Sequence, residues 1–325
     1  MKVSIMVTSY NLHDYIDNAI ESVVCQDFPC DWELLIGDDG SSDGTLDDIE
    51  KWRKKYPDNI RIFVSERNND EVKNGTRAAR NRARLLENAT GDYLIYLDGD
   101  DCWTYPSKIK EQLRHLTNIE NEDCSCCAHN IEAYQMVTGE KYPMTSIQIT
   151  TRKFTAKEYW TNYYFHTNTI LFRKECKDLL LKYRNYLNDN LITYILLQYG
   201  KILYLDKLWA RYNLTGDGLW TGKSLIYGRF RNLIYMDLEI NINPKLKYCC
   251  IKRHMGDFEL ILKNYKPSID YNIIQPLVDN IDTSIFFFST SLATDSEWKW
   301  KFKKFIFRIK IVTYKIIINY LRNVK

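Results

Sequence analysis

The sequence predicts an α/β fold, a doubly wound and mostly parallel sheet followed by a helical C-terminal extension. Two observations lead there. Short apolar runs alternate with helical patterns over the first hundred residues, the signature of strands buried on both faces. The runs also end in clusters of hydroxyl and carboxylate side chains, where ligands of such sheets sit.

Residues 2–8 form a continuous apolar strand that Ser9-Tyr10-Asn11 breaks. Residues 14–25 carry Ile16, Ala19, Ile20, Val23 and Val24 at helical spacing. Residues 32–36 are a second strand, ending in Gly37-Asp38-Asp39-Gly40-Ser41-Ser42-Asp43-Gly44. A helix over 45–56, a strand over 60–65 and a helix over 75–88 follow, and Gly91 punctuates the chain before the strand 93–97. Further on, 124–134 and 167–172 read as strands, 191–199 as a helix closed by Gly200, and 201–205 as a strand. Three strand ends therefore bring Thr8-Ser9-Tyr10-Asn11, Asp38-Asp39-Gly40 and Asp98-Gly99-Asp100-Asp101 to one edge.

The chain has 325 residues, 45% hydrophobic and 27% charged, which suits a globular protein of one large domain plus an appendage. Its net charge of +3 hides an asymmetry. From residue 296 to the end, nine Lys and Arg stand against Glu297, so the tail carries +8 and the first 295 residues carry −5. An acidic body argues against nucleic acid as its partner, and a basic tail points to an anionic surface. Nine unevenly spaced cysteines fit a reducing cytoplasm better than a disulfide framework, and Met1-Lys2 runs directly into the first strand without a secretory signal. Cys124, Cys126 and Cys127 have strand-like spacing and lack a second pair to complete a zinc site.

Three acids within four residues at 98–101 repel one another, and a divalent cation relieves this. Hard oxygen donors suit Mg²⁺ or Mn²⁺, which bridge to phosphates. The same residues also read as a solvated turn ending a strand. The run from Asp38 to Thr45 reads either as a site that binds a base or ribose through its carboxylates, or as a β–α loop whose Asp43 starts the helix.

These motifs in order, with Ala79-Arg80-Asn81, Ala89-Thr90-Gly91-Asp92-Tyr93 and Trp103 between and after them, resemble family 2 glycosyltransferases of the GT-A fold. The resemblance spans roughly residues 1–222. It implies a Rossmann-like nucleotide-binding half and sugar transfer from a nucleotide sugar, a UDP-sugar, to a hydroxyl of a glycan or lipid-linked glycan in cell-surface polysaccharide synthesis. It also implies an inverting outcome. By the resemblance Thr8 and Tyr10 pack around the base, Asp39 hydrogen-bonds it, and Arg80 helps hold the donor. Asp98 contacts ribose or metal, and Asp100 holds Mn²⁺ or Mg²⁺ on the diphosphate. Asp189, ahead of a helix and Gly200-Lys201-Ile202, becomes the general base, with Asn188 where the family often has a second acid. Read without the resemblance, Asp189 is a helix N-cap.

Residues 212–222 resemble a loop after the last core strand, with Asn213 and Thr215 where the family frequently has Arg and His, so a third protein ligand to the metal is not carried over. Gly216 and Gly218 would permit a lid over the donor. Residues 218–224 miss the spacing of a P-loop by one residue. A nucleotidyltransferase and a non-catalytic carbohydrate-binding relative are the rival readings. The first is expected to carry a basic Gly-rich loop after the first strand, and the second to lose Asp100 or Asp189.

The expected organisation is a catalytic domain over 1–225 (donor half 1–105, acceptor half 106–225), a helical extension over 226–295 and a basic tail over 296–325. In the tail, Trp298, Phe302, Phe305, Ile309, Val312, Ile316 and Tyr320 recur at steps of three or four among lysines. That pattern reads as an amphipathic helix lying in an anionic membrane interface, with the alternative that it packs on the protein core. The expected location is cytoplasmic, peripheral on the inner face of the cell membrane.

Overall fold

A computed structural model describes residues 1–66, 77–145, 149–215, 224–278 and 285–323. The chain divides into two compact units, Met1–Ala156 with Tyr164–Gly216, and Lys157–Tyr163 with Asp217–Lys325.

The first unit holds ten strands among the described residues: β1 (Lys2–Ser9), β2 (Asp31–Asp38), β3 (Ile60–Val64), β4 (Tyr93–Asp98), β5 (Cys102–Trp103), β6 (Cys124–Gln135), β7 (Lys141–Pro143), β8 (Arg152–Phe154), β9 (Leu171–Arg173) and β10 (Lys201–Leu214). They form one sheet ordered β3-β2-β1-β4-β9-β6-β10-β5, with β7 on β6 and β8 on β10. Strands β3, β2, β1 and β4 are mutually parallel, as are β6 and β10, while the short β9 joins the two sets antiparallel. The predicted α/β fold class is the observed one. Helices α1 (Ile16–Val24), α2 (Thr45–Lys55), α3 (Arg77–Asn88), α4 (Lys108–Leu116), α6 (Lys177–Lys182) and α7 (Asp189–Leu196) belong to this unit.

The strands form where the sequence is apolar on both faces. Val3, Ile5, Met6 and Val7 of β1 and Leu94, Ile95 and Leu97 of β4 have no exposed surface. Two elements differ from the sequence reading. Residues 167–172 split into a 3₁₀ turn, Thr167–Thr169, and the three-residue β9, because His166 accepts from the backbone of Asn168 and closes the turn. The strand expected over 201–205 continues to Leu214 as β10, with bulges where its register on β6 shifts. Cys124, Cys126 and Cys127 lie buried along β6, and all nine cysteines are free thiols.

One buried carboxylate fastens the N-terminal sheet at its lower edge. Glu33 accepts from Ser4 Oγ (2.6 Å), Thr90 N (2.7 Å), Thr90 Oγ1 (2.9 Å), Lys2 Nζ (3.0 Å) and Arg61 Nη2 (3.0 Å). Burial would raise its pKa, but these donors outweigh burial and hold it down at about 2.

The second unit is helical. Helix α5 (Ala156–Asn162) lies mostly within it, and it continues through α8 (Leu225–Ile242), α9 (Lys247–Arg253), α10 (Met255–Asn264), α11 (Pro267–Val278), α12 (Phe287–Leu292) and α13 (Glu297–Asn323). Its central helix is α8, in which every residue from Leu233 to Glu239 is buried. The polar members of that run have partners. Asp237 accepts from the backbones of Phe288 (3.0 Å) and Ser289 (2.8 Å), and Glu239 accepts from Trp160 Nε1 (3.1 Å). His254 sits 3.4 Å from Glu239 and 3.0 Å from Asp257. No helix among the described residues is long and apolar enough to cross a membrane.

Two stability predictions follow from these buried charges. Glu33→Gln leaves the Lys2 and Arg61 charges uncompensated and is expected to cost about 2–3 kcal/mol in chemical denaturation. A loss within experimental error would show that the Glu33 cluster is idle. For His254, burial alone lowers the pKa, but Glu239 and Asp257 outweigh it and raise the pKa to about 9. The folded state therefore holds a proton that the unfolded chain releases above about pH 6.5. This contribution is complete below that pH and disappears as pH rises through 9. His254→Gln should flatten the decline in melting temperature over that window, and an unchanged decline would place its origin elsewhere.

Candidate active site

The parallel registers build the site directly. Thr8 pairs with Asp98 across β1 and β4, and Ser9 pairs with Asp38 across β1 and β2, so the three strand ends lie side by side. Strand order reverses at β1, which is where doubly wound sheets bind ligands. Thr8 Oγ1 donates to Asp98 Oδ1 at 2.9 Å. Gly99 follows because a Cβ there would come within 2.8 Å of the Thr8 carbonyl, to which its own N–H donates.

The loops after β1 and β2 are stitched together. Asn11, in the left-handed region at φ 50°, donates from its backbone to Ser41 Oγ (2.8 Å) and accepts from Ser42 N (3.0 Å). Asp38 is buried and accepts from Gly40 N, Ser41 N and Ser41 Oγ, while Asp43 accepts from His13 N, Thr45 N and Thr45 Oγ1. Both acids therefore hold the loop. Asp39, between them, is partly exposed and donates its N–H to the Ser9 carbonyl at 2.9 Å. Tyr10 stands at the rim, 37% exposed.

Helix α3 is locked against the sheet by Asn81, whose Nδ2 donates to the Gly37 carbonyl at 2.6 Å. A Cβ at Gly37 would lie 2.1 Å from Asn81 Oδ1, so only glycine permits this approach. The next residue, Arg82, is buried between two carboxylates. Its guanidinium is 3.0 Å from Asp98 Oδ1 and 2.9 Å from Asp189 Oδ1. The Tyr96 hydroxyl fixes the backbone by donating to the Arg82 carbonyl at 3.1 Å. Burial works against the Arg82 charge, but Asp98 and Asp189 outweigh it and raise its pKa. Arg80 lies exposed on α3, two residues before the arginine that reaches Asp98.

Asp189 opens α7, and the N-cap is Asn188, which accepts from Leu191 N at 2.8 Å. The cap reading of Asp189 is thus corrected, because its neighbour serves the helix. The Asp189 carboxylate accepts from the Tyr164 hydroxyl at 3.1 Å and lies 3.7 Å from His166 Nε2. Burial raises its pKa, yet Arg82 and His166 outweigh burial and lower it, so it is ionised at neutral pH.

The acidic run after β4 divides by partner. Asp101 is buried and accepts from Asn213 N at 2.9 Å and from Asn168 Nδ2. Asp100 is pushed up to about 6, first by burial and then by the neighbouring charge of Asp98. Ligand atoms of Asp98, Asp101 and His166 lie within 4.8 Å of one another. Oxygen donors dominate this edge, and the charge on Asp100 is poorly compensated. That is the donor set and the electrostatic deficit that a hard divalent cation fits. The lid expected from Gly216 and Gly218 and the near-P-loop stretch fall largely outside the described residues.

Arg82, Tyr164 and His166 are the site residues that sequence reasoning missed, and Asp101 was named only as one of the acids in its run. The available signal for Arg82 was its place directly after Asn81 on a helix facing two acidic strand ends. His166 was obscured because the β-branched residues that follow it read as a strand.

The sequence profile of glycosyl transferase family 2 matches residues 4–180. Among curated relatives, the chain is 28% identical over 223 residues to TuaG of Bacillus subtilis (strain 168), a protein named for glycosyl transfer in teichuronic acid biosynthesis; the match covers 68% of this chain and 82% of TuaG. It is 33% identical over 151 residues to the cholesterol galactosyltransferase of Borreliella burgdorferi, covering 44% of this chain and 39% of that one. Among solved structures, TarS 1-349 of S. aureus in complex with UDP-GlcNAc is similar at a TM-score of 0.66 and 19% identity, covering 99% of this chain and 92% of that one. The mannosyltransferase PcManGT of Pyrobaculum calidifontis, in complex with GDP-Man and Mn²⁺, is similar at 0.52 and 12% identity, covering 95% and 86%. These structural likenesses establish a shared fold.

Removing the shared cation tests the geometry alone. Arg82→Met strands two carboxylates and is expected to cost about 3–5 kcal/mol of stability. Combined with Asp189→Asn, the loss should fall short of the sum of the single losses by roughly 0.5–3 kcal/mol in urea denaturation. Additive losses would show that Arg82 and Asp189 do not interact.

Proposed function

This chain belongs to glycosyl transferase family 2, and on that premise we propose that it transfers a sugar from a UDP-sugar to a hydroxyl of a cell-surface glycan or lipid-linked glycan. The observation that carries the reading is the convergence of the β1, β2 and β4 ends with Asp189, joined through Arg82. The choice of UDP and of a surface glycan draws on the resemblance, on the UDP-GlcNAc complex of TarS and on the teichuronic acid role for which TuaG is named.

In this reading Asp39 hydrogen-bonds the base at the partly exposed end of β2, with Thr8 and Tyr10 around it and Arg80 aiding the donor. Asp100 and Asp98 would hold Mn²⁺ or Mg²⁺, whose chemistry is to neutralise a diphosphate. Asp189 accepts the proton of the acceptor hydroxyl. The hydroxyl oxygen forms the new bond to the anomeric carbon as the bond from that carbon to the diphosphate oxygen breaks. The electron pair leaves with the nucleoside diphosphate, and a single displacement inverts the anomeric centre. Arg82 keeps Asp189 ionised, so it enters the reaction able to take a proton. Residues 1–105 form the donor half and 106–225 the acceptor half.

Incubation with a panel of nucleotide sugars and Mn²⁺ should release nucleoside diphosphate from one or a few donors. Asp100→Ala should abolish release, and full turnover in excess EDTA would sink the metal assignment. Asp189→Asn should lower kcat by about 10²–10⁴-fold while donor affinity stays nearly unchanged. Lost donor binding in a folded Asp189→Asn protein would move Asp189 into the donor site instead.

A further inference from the structure

Helix α13 is apolar on two opposite faces. Trp300, Phe307 and Ile311 are buried, with Trp300 against Tyr265 at 4.7 Å between ring centroids and Phe307 stacked on Phe258 at 6.2 Å. On the other side Trp298, Phe302, Phe305, Ile309, Val312 and Ile316 are 51–75% exposed. Their spacing of four, three, four, three and four residues sets them in one line along the helix. The helix thus packs on its own unit through one face and leaves a contiguous apolar line uncovered on the opposite one. Contiguous exposed apolar surface of this kind marks an interaction site.

The charges beside the line identify what covers it. Lys299 flanks it on one side, and Lys301 and Arg308 flank it on the other, all exposed, while Lys315 is paired with Glu259 of α10. No Asp or Glu follows Glu297 in the rest of the chain. The spacing alone would also suit a helix–helix seam, but such a seam needs acids opposite its flanking cations, and a second copy of α13 would bring more Lys and Arg. An anionic lipid surface supplies the missing charge, takes aromatic and aliphatic side chains into its interface, and lets long cationic side chains reach the headgroups.

We propose that the exposed line of α13 docks this protein, helix axis in the membrane plane, on bilayers rich in anionic phospholipid. The inference rests on α13 and its unit and is independent of the transfer reaction.

Co-sedimentation of the full-length protein with vesicles tests it. Binding is expected on phosphatidylglycerol–phosphatidylcholine vesicles, to fall at least about tenfold on phosphatidylcholine alone, and to weaken as salt rises. Phe302→Ser with Phe305→Ser, and separately Lys301→Glu with Arg308→Glu, should each reduce binding by about tenfold or more without changing the melting temperature, since all four side chains are exposed. Equal binding to both vesicle types, or wild-type binding by both double variants, would overturn the proposal. So would a lipid-free oligomer, seen in sedimentation velocity, that Phe302→Ser with Phe305→Ser converts to monomer while vesicles fail to bind the wild type.

Discussion

A single buried guanidinium, Arg82, held between Asp98 and Asp189, is the interaction on which the site depends. One carboxylate ends a parallel strand and the other opens a helix much later in the chain, and like charges so close would separate without a cation between them. Arg82 in turn tolerates burial only because both partners are present. Its position is fixed from below by neighbours with no charge to contribute. Asn81 is pinned to the Gly37 carbonyl, and the Tyr96 hydroxyl holds the Arg82 backbone. The geometry of the acidic edge is therefore a consequence of how α3 is seated on β2 and β4.

With Arg82 committed to those two acids, the remaining carboxylates sort by what surrounds them. Asp38, Asp43 and Asp101 spend their oxygens on loop backbone and neighbouring side chains, and so they shape the edge. Asp100 has little compensating charge and is pushed up to about 6. An edge that is hydrogen-bonded in place, oxygen-rich and electrically incomplete is suited to a cation that arrives with an anionic ligand. Residues of one type in one motif thus take opposite parts, and their hydrogen bonds decide which.

The sheet was legible because strands buried on both faces are mostly apolar, and β1, β2 and β4 are, with Ser4 and Glu33 paired to each other where they depart from it. The acidic ends of β2 and β4 were legible because carboxylates seldom close such strands without a reason. What escaped was whatever depends on rotation about an element's own axis. On α3 sequence reasoning singled out Arg80 and passed over Arg82, which the seating of Asn81 turns toward Asp98. At α7 the cap falls on Asn188, one residue before the acid proposed as base. The tail shows the same limit. Periodicity found the line from Trp298 to Ile316 but could not tell which way it faces. The helix packs through Trp300, Phe307 and Ile311 on its far side. The turn at His166 was hidden because its β-branched residues resemble a strand and only the hydrogen bonding shows a 3₁₀ turn.

Calorimetric titration of UDP into the purified protein, with Mn²⁺ and again after chelation, bears most directly on the claim that this acidic edge is a nucleoside-diphosphate site completed by a cation. The account predicts saturable UDP binding with Mn²⁺ that weakens at least about tenfold without it, because the diphosphate then faces the uncompensated Asp100. UDP binding of equal strength in chelator would contradict it.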